Sequence, residues 1–163
     1  MLERLTFTLV VALKALKRFP TFGFDIEKRE AIIYDDGTER FTGTTLKGIA
    51  QSVIGILQNP ESTVNRYVCV RSIETCQKDI LMEFEKVTGQ KWTIRTDTSE
   101  ALLSRGREKR TKGEKGWVLD LLVGQLLEYG TGRGIVVPHK DSDNELLGVE
   151  EESLADLVKG ILG

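Results

Sequence analysis

The sequence has little of what most chemical sites are built from. It holds one histidine, two cysteines and three prolines in 163 residues, and aromatic side chains make up 7%. Cys69 and Cys76 have neither metal-ligand spacing nor the density of a disulfide-stapled secreted scaffold, which points to a reduced, cytoplasmic setting. Around His139, the acids Asp141, Asp143 and Glu145 suggest a hard-metal loop. They lack the turn glycine and closing bidentate Glu of an EF-hand, so no metal is expected. An excess of one charge is missing too. A net charge of −2 and a pI near 5.6 give no global pull toward nucleic acid or an anionic membrane. No apolar run approaches the ~20 residues that span a bilayer. The longest, Leu5–Leu13, meets Lys14, Lys17 and Arg18 at once and shows no small-x-small cleavage site, so it does not read as a signal peptide. A strand leading through a Gly-rich turn into a helix, which a dinucleotide needs, is also absent.

What is present is ordinary for a soluble domain: 40% hydrophobic and 29% charged residues, in a chain long enough to bury a core. In residues 1–22, Leu2, Leu5, Leu9, Ala12, Leu13 and Leu16 form a helical stripe, while Leu5, Phe7, Leu9 and Val11 alternate like a strand. The longer stripe favours an amphipathic helix packed on the body. Residues 31–71 are the most informative stretch. Asp36-Gly37, between Ala31–Tyr34 and Thr38–Phe41, predicts a tight-turn hairpin. Thr44 or Thr45 then caps a helix whose Leu46, Ile49, Ala50, Val53, Ile54 and Leu57 share one apolar face. Asn59-Pro60 ends it, and Tyr67–Val70 reads as a buried strand.

Further on, Thr75 and Gly89 bracket a helix with Ile80, Leu81, Phe84 and Val87 inward. Trp92, Ile94 and Thr96 alternate as a half-buried strand, and Asp97 with Glu100 forms a capping box for a third helix. The basic run Ser104–Gly116 lacks interleaved aromatics for base stacking, so it reads as a solvated helix end rather than a nucleic-acid contact. Trp117–Tyr129 is a helix with Val118, Leu121, Leu122, Leu126 and Tyr129 on one side. Leu119, Val123 and Leu127 widen its stripe, as burial on two sides or an oligomer contact would require. Gly130, Gly132 and Gly134 follow a helix rather than a strand, so they read as an exit loop, not a phosphate cradle. A last helix covers 150–162, with Glu150, Glu151 and Glu152 near its positive end. The expected fold is α/β (α+β): three to five helices on a small mixed sheet of strands near 31–34, 38–42, 67–71 and 92–96.

The DDGT turn, the helix ending LQNPESTVNR, the strand YVCV, Thr88–Trp92 and the stretch DNELLG at 143–148, in that order, resemble the NmrA-like and isoflavone-reductase-like family of atypical short-chain dehydrogenases. The resemblance runs over residues 22–162, beginning at Phe22–Asp25. It implies an NAD(P)-dependent oxidoreductase of Rossmann type, of which residues 23–163 would be the C-terminal, substrate-side region, after a divergent segment 1–22. The Gly-rich dinucleotide half and the family's catalytic lysine would lie outside this chain, as in a shortened product, a diverged paralogue or a mis-assembled gene. No catalytic or cofactor-binding residue is therefore assigned, and NADP or NAD is not expected to bind the chain alone. Phe24, Trp117 and Tyr129 are candidates for a wall against a small aromatic or secondary-metabolite-like substrate. The alternative is a non-catalytic, NmrA-type regulatory module that docks on a protein partner; an oligomer is compatible with both.

Overall fold

The computed structural model describes residues 22–162, so the expectation of an N-terminal amphipathic segment lies outside the described residues. The described residues are mixed α/β, with helices packed on two small sheets. In the first sheet, β2 (Glu30–Tyr34) lies between β1 (Phe24–Asp25), antiparallel, and β5 (Thr93–Asp97), parallel. Its register sets Ala31 beside Ile94 and Tyr34 beside Asp97. Parallel partners need a long crossover, and everything between residues 35 and 92 forms it. Within that crossover, β3 (Phe41–Gly43) and β4 (Ile73–Thr75) pair antiparallel as a second sheet.

The expected hairpin therefore does not form. The turn exists: Gly37 has φ +70°, its N–H donates to the Tyr34 carbonyl at 2.9 Å, and Asp36 accepts from the N–H and hydroxyl of Thr38. The chain leaving it, however, goes to a different sheet. A tight turn fixes local direction, whereas pairing is fixed by which strand is offered as a neighbour.

Five longer helices are present among the described residues: α1 (Leu46–Gln58), α3 (Gln77–Thr88), α4 (Ser99–Lys112), α5 (Trp117–Leu126) and α7 (Leu154–Leu162). Two one-turn helices, α2 (Pro60–Thr63) and α6 (Asn144–Leu147), and a 3-10 turn at His139–Asp141 complete the set. Thr45 caps α1 as expected, accepting from Gly48 N–H. The caps of α3 and α4 differ from expectation. Cys76 and Thr98 hold the N-cap positions, because Thr75 is taken by β4 and Asp97 by β5. Gly89 does end α3, in the left-handed conformation that glycine adopts without strain.

The core centres on Phe24, Phe84 and Trp92, whose ring centroids lie 5.0–6.0 Å apart. Val158 and Ile161 of α7 join it, as do Leu102 of α4 and Val123 of α5. Trp92 is buried, but Ile94 is exposed, so β5 is not the half-buried strand its alternation implied. Gln77, fully buried, ties α3 to the first sheet: its side chain accepts from Tyr34 N–H and donates to the Phe22 and Ile32 carbonyls. One amide thereby satisfies three backbone groups.

Two further expectations are corrected. Residues 67–71 form no strand. Asp143 and Asn144 hold one of their edges: Cys69 N–H donates to the Asp143 carboxylate, and Asn144 exchanges two hydrogen bonds with the backbone of Arg71. Glu150, Glu151 and Glu152 precede α7 rather than entering it. They reach Lys47, Arg71 and Thr45, respectively, while Ser153 and Asp156 form the helix start.

The direction in which α1 packs was not given by its apolar stripe. Its buried residues are Gly48, Ser52 and Gly55, not the apolar stripe. Leu46, Val53, Ile54 and Leu57 are 61%, 40%, 54% and 75% exposed. The small face is inward because α1 packs backbone-close: a Cβ on Gly55 would lie 2.3 Å from the Leu147 carbonyl oxygen.

Candidate functional site

In open α/β sheets, ligands bind beyond the carboxyl ends of parallel strands. Here the parallel pair β2 and β5 ends at Tyr34-Asp35 and Asp97, joined by the Asp35 N–H donating to the Asp97 carbonyl at 2.9 Å. Asp35 has φ +53°, a left-handed conformation costly for most residues but tolerated by Asp. Its carboxylate accepts from the N–H and hydroxyl of Ser99, at 3.0 and 2.6 Å, and from Tyr129 N–H at 3.3 Å. One side chain thus fastens the strand end, the start of α4 and the segment after α5.

Around it lies a charged cluster. Arg105 pairs with Asp97 at 2.7 Å, and Lys109 with Asp120 at 2.7 Å. Partial burial works against ionisation of the Asp97 carboxyl, but Arg105 and the Thr98 N–H outweigh it and hold the group below the ordinary carboxylate range. Burial pushes the Tyr34 phenol up, against the opposing pull of Arg105. A phenol in that setting is a neutral hydrogen-bonding group, not a base.

Next to Tyr129, the glycine loop makes an anion nest. Gly130 and Gly132, at φ +76° and +62°, point their N–H groups at the two carboxylate oxygens of Glu39, 2.7 and 2.8 Å away. The loop read as a simple exit is therefore a cradle, and the chain's own Glu39 fills it.

These arrangements do not fit a dinucleotide. The N-terminus of α4, the helix start at the strand ends, is taken by Asp35 and Thr98, which accept from Ser99 and Ala101 N–H. Asp35, Asp36, Asp97 and Glu39 would repel a pyrophosphate. No chemical step through such a cofactor follows from residues 22–162.

The three substrate-wall candidates are not brought together. Phe24 is 0% exposed and packs on Phe84 and Trp92, so no part of it is open to a ligand. Trp117 is half-buried under the Arg110 guanidinium, 5.5 Å from its ring centre. Tyr129 is 63% exposed and lies beyond the other end of α5, roughly 15 Å of helix away. A separate depression of about 380 Å³ is lined by Met82, Glu85, Lys86, Gly89, Gln90 and Lys91. Met82 is its one large apolar side chain, the rest being charged, polar or glycine, unlike the apolar and aromatic wall of a small-molecule pocket.

The basic run is structural in large part: α4 continues through it to Lys112 and forms a hairpin with α5, locked by Lys109–Asp120 and Arg110 over Trp117. On α5 the inward residues are Val123, Gly124 and Leu126, while Val118, Leu119 and Leu122 face out. Cys76 is buried, and burial pushes its thiol up rather than down despite its place at a helix start. His139 is exposed, 3.9 Å from a Glu151 oxygen. Among the described residues, no group of three or more His, Cys, Asp or Glu is placed to hold a metal ion. No described helix is long and apolar enough to cross a membrane.

Sequence reasoning missed Asp35, Ser99, Glu39, Arg71 and Asn144. Asp35 and Asp36 look alike in a turn, yet only Asp36 serves the turn; Asp35 reaches a partner 64 residues away. The clamp of Arg71, Asn144, Glu74 and Glu151 likewise joins segments far apart in sequence.

The mixed α/β fold of the described residues is shared with two solved structures. It superposes on an NADPH-dependent quinone oxidoreductase from Escherichia coli with a TM-score of 0.61 at 13% identity, over 91% of this chain and 52% of that one. A nucleoside-diphosphate-sugar epimerase from Staphylococcus aureus gives 0.57 at 16% identity, over 89% and 46%. In sequence, the chain is 47% identical over 149 residues to the oxidoreductase poxI of Penicillium oxalicum, covering 91% of this chain and 48% of that protein. The oxidoreductase aprR of Aspergillus flavus is 26% identical over 140 residues, covering 86% and 47%. The chain therefore spans about half the length of the curated relatives it matches. No protein-family model matches it.

Proposed function

We propose that this chain is the C-terminal, substrate-side region of an NAD(P)-dependent oxidoreductase of the NmrA-like, isoflavone-reductase-like kind. In this reading the hydride chemistry depends on a dinucleotide-binding half that residues 22–162 do not form. The observation that supports it most is the 47% identity to an oxidoreductase, extending over nearly this whole chain but about half of that protein. Hydride transfer needs a nicotinamide held and oriented, and the helix start at the parallel strand ends is capped by Asp35 and Thr98 among further carboxylates. NADP or NAD would belong to the other half, and the substrate would be a small, aromatic, secondary-metabolite-like molecule.

Titrating NADPH into the purified chain, followed by nicotinamide fluorescence, tests the reading. No saturable binding is expected in the micromolar range; a micromolar Kd would refute it. A second reading, a non-catalytic NmrA-type interaction module, is favoured by one observation: the outward apolar face of α1. It would be supported by an assembled protein that binds a partner but turns over no reduced nicotinamide.

A further inference from the structure

The first sheet ends on an edge that no strand among the described residues continues. β5 is an outer strand of the order β1-β2-β5, and Thr93, Ile94, Arg95 and Thr96 are exposed on both of its faces. Thr93 N–H donates to the Arg29 carbonyl and the Asp97 carbonyl accepts from Asp35 N–H, both at 2.9 Å. Thr93, Arg95 and Asp97 therefore turn their backbone groups to β2. Alternate residues of a strand bond to opposite neighbours, so Ile94 and Thr96 turn theirs outward, where they meet no backbone partner among the described residues. Farther back the same edge is closed, because Trp92 N–H donates to the Glu85 carboxylate at 3.1 Å. Soluble proteins blunt open edges with proline, bulges or a covering element. β5 has no proline, and its register with β2 runs unbroken from Glu30 beside Thr93 to Tyr34 beside Asp97. Its threonines and isoleucine favour the extended state.

We infer that this edge is a self-pairing surface: β5 joins β5 of a second copy, antiparallel and centred on Thr96, so that two three-stranded sheets become one across a two-fold axis. Charge selects this occupant. On one face of the strand, Arg95 is followed two residues later by Asp97. An antiparallel copy centred on Thr96 sets Arg95 opposite the second copy's Asp97, and Asp97 opposite the second copy's Arg95. The strand is thus its own complement, and each Thr96 exchanges both backbone bonds with its counterpart. Pairing centred on Arg95, or a parallel copy in register, would set two arginines side by side. Pairing centred on Ile94 would need the Trp92 N–H that Glu85 already holds. Arg105 reaches Asp97 from α4 at 2.7 Å, so in the pair each Asp97 would lie between two guanidiniums. No cofactor or substrate enters this contact, and it stands apart from the oxidoreductase reading.

Sedimentation velocity of the full chain over a roughly hundredfold range of concentration, with amide hydrogen exchange at both ends of that range, tests the pairing. One short strand is a small contact, so a concentration-dependent dimer is expected. In the dimer the Thr96 amide should exchange roughly tenfold more slowly than in dilute chain, whereas the Thr93 and Arg95 amides, turned to β2, should not change. Arg95→Glu should raise the dissociation constant roughly tenfold, and Arg95→Lys far less. Ile54→Asp/Leu57→Asp, on the exposed face of α1, should leave it unchanged, with far-UV circular dichroism confirming that all three variants fold. The pairing is overturned if the chain stays monomeric throughout, if the Thr96 amide gains no protection in the dimer, or if Arg95→Glu dimerises as the parent does. Loss of the dimer in Ile54→Asp/Leu57→Asp would overturn it too, by moving the contact to α1.

Discussion

Asp35 shows how much one side chain can fasten. It holds a left-handed backbone conformation at the end of β2 and places its carboxylate where Ser99 and Tyr129 donate to it. Two costs therefore attend its loss: a missing cap for α4 and a strained backbone if the replacement has a Cβ but no compensating polar group. Asp35→Ala should lower unfolding free energy by about 3 kcal/mol in urea denaturation. Asp35→Gly should lose about 1 kcal/mol less, because glycine takes the same φ freely. Equal losses in the two variants would show that the backbone conformation carries no strain. Glu39 acts in the same register, its two oxygens filling the cradle made by Gly130 and Gly132. The sequence showed both acids without showing their partners. A carboxylate's neighbours in sequence reveal turn chemistry, whereas a partner 64 or 91 residues away is set by chain topology.

Helices were legible as elements, and only some of them as orientations. The periodicity of α1 located its span within a residue, and Thr45 and Asn59 bound it as expected. It also identified the apolar stripe correctly. What periodicity did not give is the direction of the stripe, since it cannot say which neighbour covers a face. The inner contact follows a different rule: close backbone approach at Gly48 and Gly55, where any Cβ would collide with Ser72 or Leu147. The same substitution type should thus act oppositely on the two faces. Gly55→Ala gains roughly 1 kcal/mol in helix propensity but forces α1 off α6. The net expectation is destabilisation by about 2 kcal/mol. Leu57→Ala, on the exposed side, should change stability by less than about 0.5 kcal/mol. Thermal denaturation of both variants decides it, and a large loss in Leu57→Ala would mean that the outer face is already covered. The failed strand at 67–71 has the same origin, for a strand needs a neighbour that the described residues do not supply. By contrast α3, whose Ile80, Leu81 and Phe84 are all buried as expected, packs against β2 and α7 within the described residues.

At the scale of the whole molecule, the two small sheets share one core, in which Phe41 of β3 packs with Phe22 and with residues of β1 and β2, while ion pairs fasten the second sheet to segments distant in sequence. Arg71 is buried and pairs with Glu74 and Glu151; Glu74 also takes Arg40, which reaches on to Asp79. Lys47 and Glu150 close α1 onto the segment before α7. The consequence is a dependence on pH. The Arg40 guanidinium foremost, then Arg71, holds the Glu74 carboxyl below its ordinary value, and Arg105 does the same for Asp97 against partial burial. A carboxyl with a depressed folded-state pKa adds stability that is complete above its unfolded value. That stability is lost as pH falls through the folded one. The urea midpoint should therefore be flat from neutrality to about pH 5 and then fall through and below the ordinary carboxylate range, about pH 4. Glu74→Gln should be less stable than the parent at neutral pH, because Arg71 would remain buried with one partner fewer. The difference between them should shrink as acid protonates Glu74 in the parent. Urea midpoints measured for both proteins across that range test the sign: a gap that widens on acidification would mean that Glu74 is stabilising in its protonated form and that the Arg40–Glu74–Arg71 bridge does not stabilise the second sheet.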